Sequence, residues 1–296
     1  MKRRPVLFGE MLFDRFPDGQ SVLGGAPFNV AWHLQAFGTD PLMISRIGAD
    51  EGGRKILETM KAWGLSIEGI QIDSDHPTGV VNVTLEGTEP HYEIVEDSAY
   101  DFIDRARLPR LAADTILYHG SLACRNPVSR AALLQLKEQA VDLSFVDINL
   151  RKPHYRVPEI LELIRGADWL KLNEVEFHEV FSQNPDASQA LAAQMDALQL
   201  DRLVITRGED GAEVRTRRGT RFSVKPARPD TIMDSVGAGD AFSSVLLLGQ
   251  IADWSIEESL QRASEFAEAI LGIRGATINR TEFYRPFINQ WGLSRD

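Results

Sequence analysis

Short apolar runs alternate with helix-like segments along most of the 296-residue chain. The strand-like runs lie at 5–8, 41–47, 114–119, 143–148, 169–172 and 203–206. The helix-like segments lie at 27–37, 51–63, 126–140, 158–165, 187–198, 255–270 and 281–291. Parallel neighbours in a sheet need a crossover connection, usually a helix, so this alternation is typical of a parallel sheet covered by helices. We therefore predict an α/β fold with one large, mainly parallel central sheet.

The predicted helix ends depend on residues that commonly begin or end helices. Gly64 follows the segment 51–63, and a glycine there can take the left-handed conformation that often ends a helix. Ser255 and Glu258 have the spacing of a capping box, which begins a helix. These signals predict one helix that ends at Gly64 and another that begins after Ser255.

Two segments interrupt the alternation, because 80–85 and 91–95 show the period-two pattern of strands. They flank the turn-like segment 86–89, so we predict a hairpin that stands off the main sheet. The segment 12–16 could add a further strand to it. A small sheet beside an α/β body is suited to be a lid over a cleft. The pattern alone equally allows an edge hairpin with no moving role.

The formal net charge of −11 argues against nucleic-acid binding, which needs clustered basic residues. One local basic patch is interpreted as the solvated rim of a hairpin, and it consists of Arg215, Arg217, Arg218 and Arg221. No apolar run approaches the ~18 residues of a membrane helix, and the first apolar run is too short for a signal peptide. The single cysteine, Cys124, excludes an internal disulfide. We expect a cytoplasmic protein without nucleic-acid or membrane partners.

Residues 234–242 read DSVGAGDAF, and the apolar residues that follow recur at helical spacing. Glycines at the start of a helix let backbone N–H groups converge on an anion, and the helix dipole favours negative charge there. Asp240 in the same turn is suited to be a base that takes a proton from an attacking hydroxyl. The spacing also allows a plainer interpretation, in which Asp240 is a helix cap and the glycines form a tight turn.

The same segment resembles the C-terminal signature of the ribokinase-like (pfkB-type) carbohydrate kinases, D-T-x-G-A-G-D-x-F, with Ser235 in place of the usual threonine. Residues 24–31, GGAPFNVA, resemble the N-terminal signature G-G-A-P-x-N-V-A. Both signatures occur in the family's order, and the resemblance runs from Gly9 to about Ala276. It implies a ribokinase-like three-layer fold in a single kinase domain (1–296), with lid strands from about 11–24 and 78–100.

The resemblance further implies an enzyme that uses ATP and Mg²⁺ to phosphorylate a sugar, with a monovalent cation such as K⁺ as a further candidate. Lid strands with an exposed apolar face would suit a homodimer. By position, the resemblance assigns catalytic roles to Asp240, Gly237, Ala238 and Gly239, and sugar binding to Asp14, Gly24, Gly25, Asn29 and Arg151. It assigns nucleotide binding to Thr206, Gly208, Gly211 and Asn173, and magnesium binding through water to Glu176. Without the family, Asn29 could be a helix cap, Arg151 a surface residue paired with an acid, and Glu176 part of a solvated helix face.

Residues 9–10 and 24–31 look most like those of fructokinases. Residues 147–151, DINLR, resemble a segment that fructokinases share with 2-keto-3-deoxygluconate kinases. The segment 89–98 contains no Lys or Arg and four acidic residues, which weighs against sugars that carry a carboxylate or phosphate. We therefore expect a neutral sugar, with fructose first.

The alternatives within the family are 2-keto-3-deoxygluconate, ribose and nucleoside kinases. An alternative of a different class is a sugar-binding regulator without catalysis, against which the intact Asp240 argues. A dinucleotide-dependent oxidoreductase would need G-x-G-x-x-G after the first strand, and Glu10 and Met11 follow Gly9 instead.

Overall fold

The computed structural model describes residues 3–86, 89–139, 141–181, 188–226 and 233–293. The strands are β1 (Arg4–Phe8), β2 (Leu12–Arg15), β3 (Ser21–Gly24), β4 (Leu42–Gly48), β5 (Ile70–Asp73), β6 (Gly79–Glu86), β7 (Glu89–Ile94), β8 (Thr115–His119), β9 (Leu143–Asp147), β10 (Trp169–Asn173), β11 (Arg202–Thr206), β12 (Ala212–Thr216) and β13 (Arg221–Val224). The α-helices are α1 (Ala26–Ala36), α2 (Glu51–Trp63), α3 (Pro127–Lys137), α4 (Val157–Ile164), α5 (Glu174–Phe181), α6 (Ser188–Ala197), α7 (Ala238–Ile251), α8 (Ile256–Leu271) and α9 (Thr281–Gln290).

The main sheet has the strand order β13-β12-β11-β10-β9-β8-β1-β4-β5. All neighbours from β5 to β11 are parallel, whereas β12 and β13 are antiparallel at one edge. The carboxyl ends of the parallel strands therefore lie along one edge of the sheet, where ligands of open α/β sheets bind. The prediction of a large, mainly parallel sheet is confirmed.

Helices cover both faces of this sheet, which completes the predicted three-layer fold. Successive side chains of β1 point to opposite faces, so Leu7 packs with residues of α1, α2, α7, α8 and α9 in one apolar cluster. Val6 and Phe8 pack with residues of α3, α4, α5 and α6 in the other. Strands buried on both faces are apolar almost throughout, which is why they stand out in the sequence.

The second sheet has four strands in the order β3-β2-β6-β7. The predicted hairpin is present as β6 and β7, paired antiparallel, and β2 pairs parallel with β6. The predicted turn at 86–89 includes residues 87–88, which lie outside the described residues. Because β2 follows β1 after a short connection, the second sheet projects from the edge where the parallel strands end.

Local signals placed several helix ends correctly. Gly64 has a φ of 81°, in the left-handed region, and ends α2. The Ser255 hydroxyl accepts a hydrogen bond from the Glu258 N–H (3.1 Å) at the start of α8. The predicted start of α6 at 187 lies outside the described residues. Within the described part of the chain, no helix is both long and apolar enough to cross a membrane.

The solvated-rim interpretation of the basic patch is wrong for one of its members. Arg215 lies in β12, is only 5% exposed, and forms an ion pair with Glu213. Its neighbour Arg221 is exposed and contacts the same carboxylate across the hairpin. The hairpin is present, but period-two alternation with the buried Ala212 and Val214 places Arg215 on the polar face of β12, so its burial beside Glu213 cannot be predicted from the pattern.

Candidate active site

The first turn of α7 carries the residues that the C-terminal signature singles out. Gly237 is the N-cap residue, with a φ of 83°, and a Cβ atom there would lie 2.4 Å from the Ala276 Cβ. Only glycine fits this position, because both the backbone conformation and the close approach exclude a side chain. Ala238 and Gly239 follow as the first two helical residues, and the Ala238 N–H makes only a long hydrogen bond to the Ser235 carbonyl oxygen (3.5 Å). N–H groups at the start of a helix have no partner within the helix and can bind an anion.

Asp240 lies in the same first turn, three residues after the N-cap. The capping position is held by Gly237, so the interpretation of Asp240 as the helix cap is wrong. Instead, Asp240 Oδ2 accepts a hydrogen bond from Asn29 Nδ2 at 2.8 Å. Asn29 belongs to α1 and is separated from Asp240 by 211 residues in sequence, so the fold brings the two signature segments together.

Asn29 is buried, with 5% exposure, and its amide is only half satisfied. Its Nδ2 donates to Asp240, while Oδ1 has no hydrogen-bond partner among the described residues. The N-cap of α1 is Gly25, so Asn29 is not a helix cap. A buried amide oxygen without a partner is costly, and a substrate hydroxyl is a donor that would satisfy it.

The pKa of Asp240 is raised from 3.8 to about 7, mainly because the half-buried carboxylate is partly withdrawn from water. The nearby Asp147 raises it further, whereas the Asn29 hydrogen bond and the charges of Lys171 and Arg151 lower it. A carboxylate with a pKa near neutrality is well matched to general-base catalysis, because it is ionised yet basic at the working pH.

Asp14 and the two glycines of the N-terminal signature lie beside this pair. A Cβ atom at Gly24 would lie 3.6 Å from Asp14 Oδ2 and 3.9 Å from Asn29 Oδ1. The space next to Gly24 is therefore bordered by two polar oxygens. Gly25 has a φ of 113°, and a Cβ atom there would lie 2.5 Å from the Glu10 carbonyl oxygen, so this position requires glycine.

Arg151 lies in the loop after β9 and is exposed. Burial raises the pKa of Asp14 to about 6, and the charge of Arg151 opposes that rise. The same guanidinium also lowers the pKa of Asp240 and of Glu10, although burial leaves the pKa of Glu10 raised. The charge of Arg151 thus acts on three carboxyl groups, those of Glu10, Asp14 and Asp240.

Asn173 and Glu176 form a reciprocal cap at the start of α5. Asn173 Oδ1 accepts from the Glu176 N–H (2.9 Å), and Glu176 Oε2 accepts from the Asn173 N–H (2.8 Å). Glu176 Oε1 accepts from the Leu150 N–H (2.7 Å), which ties α5 to the loop after β9. At 9% exposure Glu176 is not part of a solvated helix face, and burial raises its pKa.

A metal ion at this place would have few direct protein ligands. Among the described residues, no group of three or more His, Cys, Asp or Glu side chains could hold a metal. Mg²⁺ typically takes one or two carboxylates and completes its shell with water and nucleotide phosphates. The single carboxylate of Glu176, with lone pairs left beyond its two backbone hydrogen bonds, fits that mode through water.

Thr206, Gly208 and Gly211 lie next to Asn173. Asn173 ends β10 and is paired in register with Thr206 at the end of β11. Gly208 and Gly211 have φ values of 54° and 93° in the turn that follows. A Cβ atom at Gly211 would lie 2.0 Å from the Val224 carbonyl oxygen, so the turn can approach β13 only with glycine there. The predicted nucleotide-binding residues therefore share one edge of the sheet.

Sequence reasoning missed a buried polar network beneath α7. Asp147 Oδ2 accepts from Lys171 Nζ (2.8 Å), from the Ser243 hydroxyl (2.6 Å) and from the Tyr118 hydroxyl (3.3 Å). Two signals in the sequence could have indicated it. A lysine interrupts the otherwise apolar run at 169–172, and a serine follows Asp240 three residues later, on the same face of the helix.

The residues of this site all lie within the part of the chain that matches a known protein family. The model of the pfkB family of carbohydrate kinases matches residues 9–282, which include both signature segments. Fructokinase from Klebsiella pneumoniae is 32% identical over 261 residues, covering 83% of this chain and 84% of the relative.

Two solved structures share the fold over nearly the full length. Fructokinase from Xylella fastidiosa with bound ATP superposes with a TM-score of 0.87 at 19% identity, covering 99% of this chain and 100% of that one. Fructokinase from Vibrio cholerae O395, in a form with bound fructose, ADP and calcium, has a TM-score of 0.81 at 25% identity, covering 96% and 98%.

Proposed function

The chain belongs to the pfkB family of carbohydrate kinases, and we propose that it transfers the γ-phosphoryl group of ATP to a hydroxyl of a neutral sugar, with fructose as the preferred acceptor. The hydrogen bond between Asn29 and Asp240 is the observation that carries this proposal. It joins a half-satisfied amide, suited to accept from one sugar hydroxyl, to a carboxylate suited to take the proton of a neighbouring hydroxyl of the same sugar.

In the proposed reaction, Asp240 accepts the proton of the attacking hydroxyl, while other hydroxyls of the same sugar donate to Asn29 Oδ1 and to Asp14. The hydroxyl oxygen forms a bond to the γ-phosphorus as the bond from that phosphorus to the bridging oxygen breaks, and ADP leaves. The N-terminal N–H groups of α7, at Ala238 and Gly239, stabilise the charge on the transferred group. The pKa of about 7 leaves Asp240 partly ionised at neutral pH before sugar binds.

The nucleotide would lie at the ends of β10 and β11, where Asn173, Thr206, Gly208 and Gly211 share one edge. Magnesium bound to the phosphates would supply charge neutralisation there. Glu176 is the residue that would hold it, through water. The ADP and calcium in the Vibrio cholerae fructokinase support a nucleotide and a divalent ion in this fold. We assign the sheet of β2, β3, β6 and β7 the role of a lid.

The preference for a neutral sugar depends on the charged groups around the proposed sugar site. Glu10, Asp14 and Asp240 are carboxyl groups, and Arg151 is the cation whose charge acts on all three. The negative charge of an acidic sugar would compete with these three carboxyl groups for Arg151. A buried charge that lacks a partner is very costly, so acidic sugars are disfavoured. The fructokinases from Klebsiella pneumoniae and Vibrio cholerae support the choice of fructose.

A 2-keto-3-deoxygluconate kinase is the second candidate, and the exposed guanidinium of Arg151 is the observation that favours it. A sugar acid could use that fork of donors as a bidentate partner for its carboxylate. In that case substitution of Arg151 would weaken binding of the sugar acid far more than that of fructose.

The two candidates are separated by ATP consumption with fructose, 2-keto-3-deoxygluconate, ribose, a nucleoside and fructose 6-phosphate. We expect kcat/KM for fructose to exceed that for the keto acid and the sugar phosphate by at least ~10-fold, about 1.4 kcal/mol. Equal or faster turnover of the keto acid, lost in Arg151→Gln, would establish the second candidate. Binding of sugar without any ATP consumption would instead indicate a regulator.

A further inference from the structure

A buried ion pair lies directly behind the proposed phosphoryl-transfer site. Lys171 and Asp147 are paired in register on β10 and β9, and their side chains are only 7% and 5% exposed. The Lys171 ammonium donates to Asp147 Oδ2 at 2.8 Å. Burying two charges costs several kcal/mol for each ion, and replacement by apolar residues is often neutral for stability. A pair of this kind is therefore better explained by a functional role than by stability.

The ion pair is connected to the first two turns of α7 by two contacts. The Ser243 hydroxyl, three residues after Asp240, donates to the same Asp147 oxygen at 2.6 Å. A Cβ atom at Gly239 would lie 3.7 Å from Lys171 Nζ, so the ammonium lies against the backbone of the glycine turn. A movement of Lys171 would therefore change the contacts of the turn that carries Asp240.

The charges that act on Asp240 come from several elements. Asp147 on β9 raises its pKa, while Lys171 on β10 and Arg151 in the loop after β9 lower it. Tyr118 on β8 is a further titratable group that interacts with Asp240, and burial raises the pKa of that phenol well above its ordinary value, so it stays neutral. Of the two cations, Arg151 is exposed and screened by water, whereas Lys171 is buried.

We propose that Lys171 is a positioning residue for phosphoryl transfer, which acts through Asp147 and the first turn of α7 to hold Asp240 in place as a carboxylate. The proposal rests on the proposed kinase function. Without the ammonium, the turn would lie over an uncompensated Asp147 carboxylate, and a second negative charge at Asp240 would be disfavoured.

The test follows the titration of Asp240 itself by NMR of protein labelled with ¹³C at the aspartate carboxyl groups. The resonance is assigned by its loss in Asp240→Asn. We compare wild type with Lys171→Met, Asp147→Asn and the double variant. Lys171→Met should move the Asp240 midpoint up by about one pH unit or more, Asp147→Asn should move it down, and the double variant should lie between them.

The acid limb of kcat/KM should shift with the NMR midpoint, while the KM values for sugar and ATP change by less than about threefold, because Lys171 acts on the base and not on ligand binding. If Lys171→Met does not fold, Asp147→Asn and the double variant still differ only by the ammonium. The midpoint should then be higher in the double variant.

Equal midpoints in all folded variants would overturn the proposal, even if stability or kcat falls, because a merely structural role leaves the titration of Asp240 unchanged. The NMR titration needs no substrate. If wild type phosphorylates no sugar, the proposed function fails, and the midpoints still decide whether Lys171 controls Asp240.

Discussion

Replacement of Asp240 by asparagine removes the proposed base with the smallest change in shape. Asn29 Nδ2 donates to Asp240 Oδ2 at 2.8 Å, and an asparagine can offer its Oδ1 to that same donor, so the contact between α1 and α7 is kept. Loss of general-base catalysis should lower kcat by roughly 10²–10⁴, or about 2.7–5.5 kcal/mol in the barrier, with little change in KM.

The same substitution should affect stability in a pH-dependent way. The pKa of Asp240 rises from 3.8 to about 7 on folding, so the folded state binds its proton more tightly than the unfolded state does. The resulting stability is fully present below pH 3.8 and is lost as pH rises to about 7. About three pH units correspond to at most ~4 kcal/mol, and less in practice because the half-buried side chain remains partly solvated.

Asp240→Asn should therefore unfold at higher urea concentration than wild type at pH 8, and the difference should shrink toward pH 5. Turnover is measured by coupled ADP release across the same pH range, where the wild-type kcat/KM should fall below about pH 7 because Asp240 becomes protonated. Binding of ATP and sugar by calorimetry is the control for an intact site. Near-normal turnover in the variant, or an identical stability difference at both pH values, would refute the reasoning.

Two further predictions concern the flanks of the site. Glu176→Gln should raise the magnesium concentration needed for half-maximal turnover far more than it changes the sugar KM. The control Glu179→Gln, one turn further along α5, should change neither quantity. Identical magnesium titrations of wild type and Glu176→Gln would contradict the assignment. Gly25→Ala should destabilise the protein by more than Gly19→Ala in urea unfolding, because both backbones have positive φ, worth about 1–2 kcal/mol, but only at Gly25 would the added Cβ strike backbone. Equal losses in the two alanine variants would show that the close approach at Gly25 is unimportant.

The sequence predicted the elements whose physics is local. The parallel strands β1, β4, β8, β9, β10 and β11 were recognisable because burial on both faces makes them apolar almost throughout. Gly64 and Ser255 marked helix ends by conformation and hydrogen bonding. The strand β5 was missed for the complementary reason. Its Gln71 is 4% exposed while its Ile72 is 42% exposed, so its alternation is the reverse of what hydrophobicity predicts.

The sequence by itself also determined the family and the residues of both signatures, because close approach and positive φ permit only glycine at Gly25 and Gly237. Only the tertiary structure decided which groups meet. The hydrogen bond from Asn29 to Asp240 spans 211 residues, and the ion pair between Lys171 and Asp147 depends on the register of two strands. Burial raises the pKa of Asp240 to about 7 even though Lys171 and Arg151 lower it, and both effects depend on the packing around Asp240 and not on its residue type.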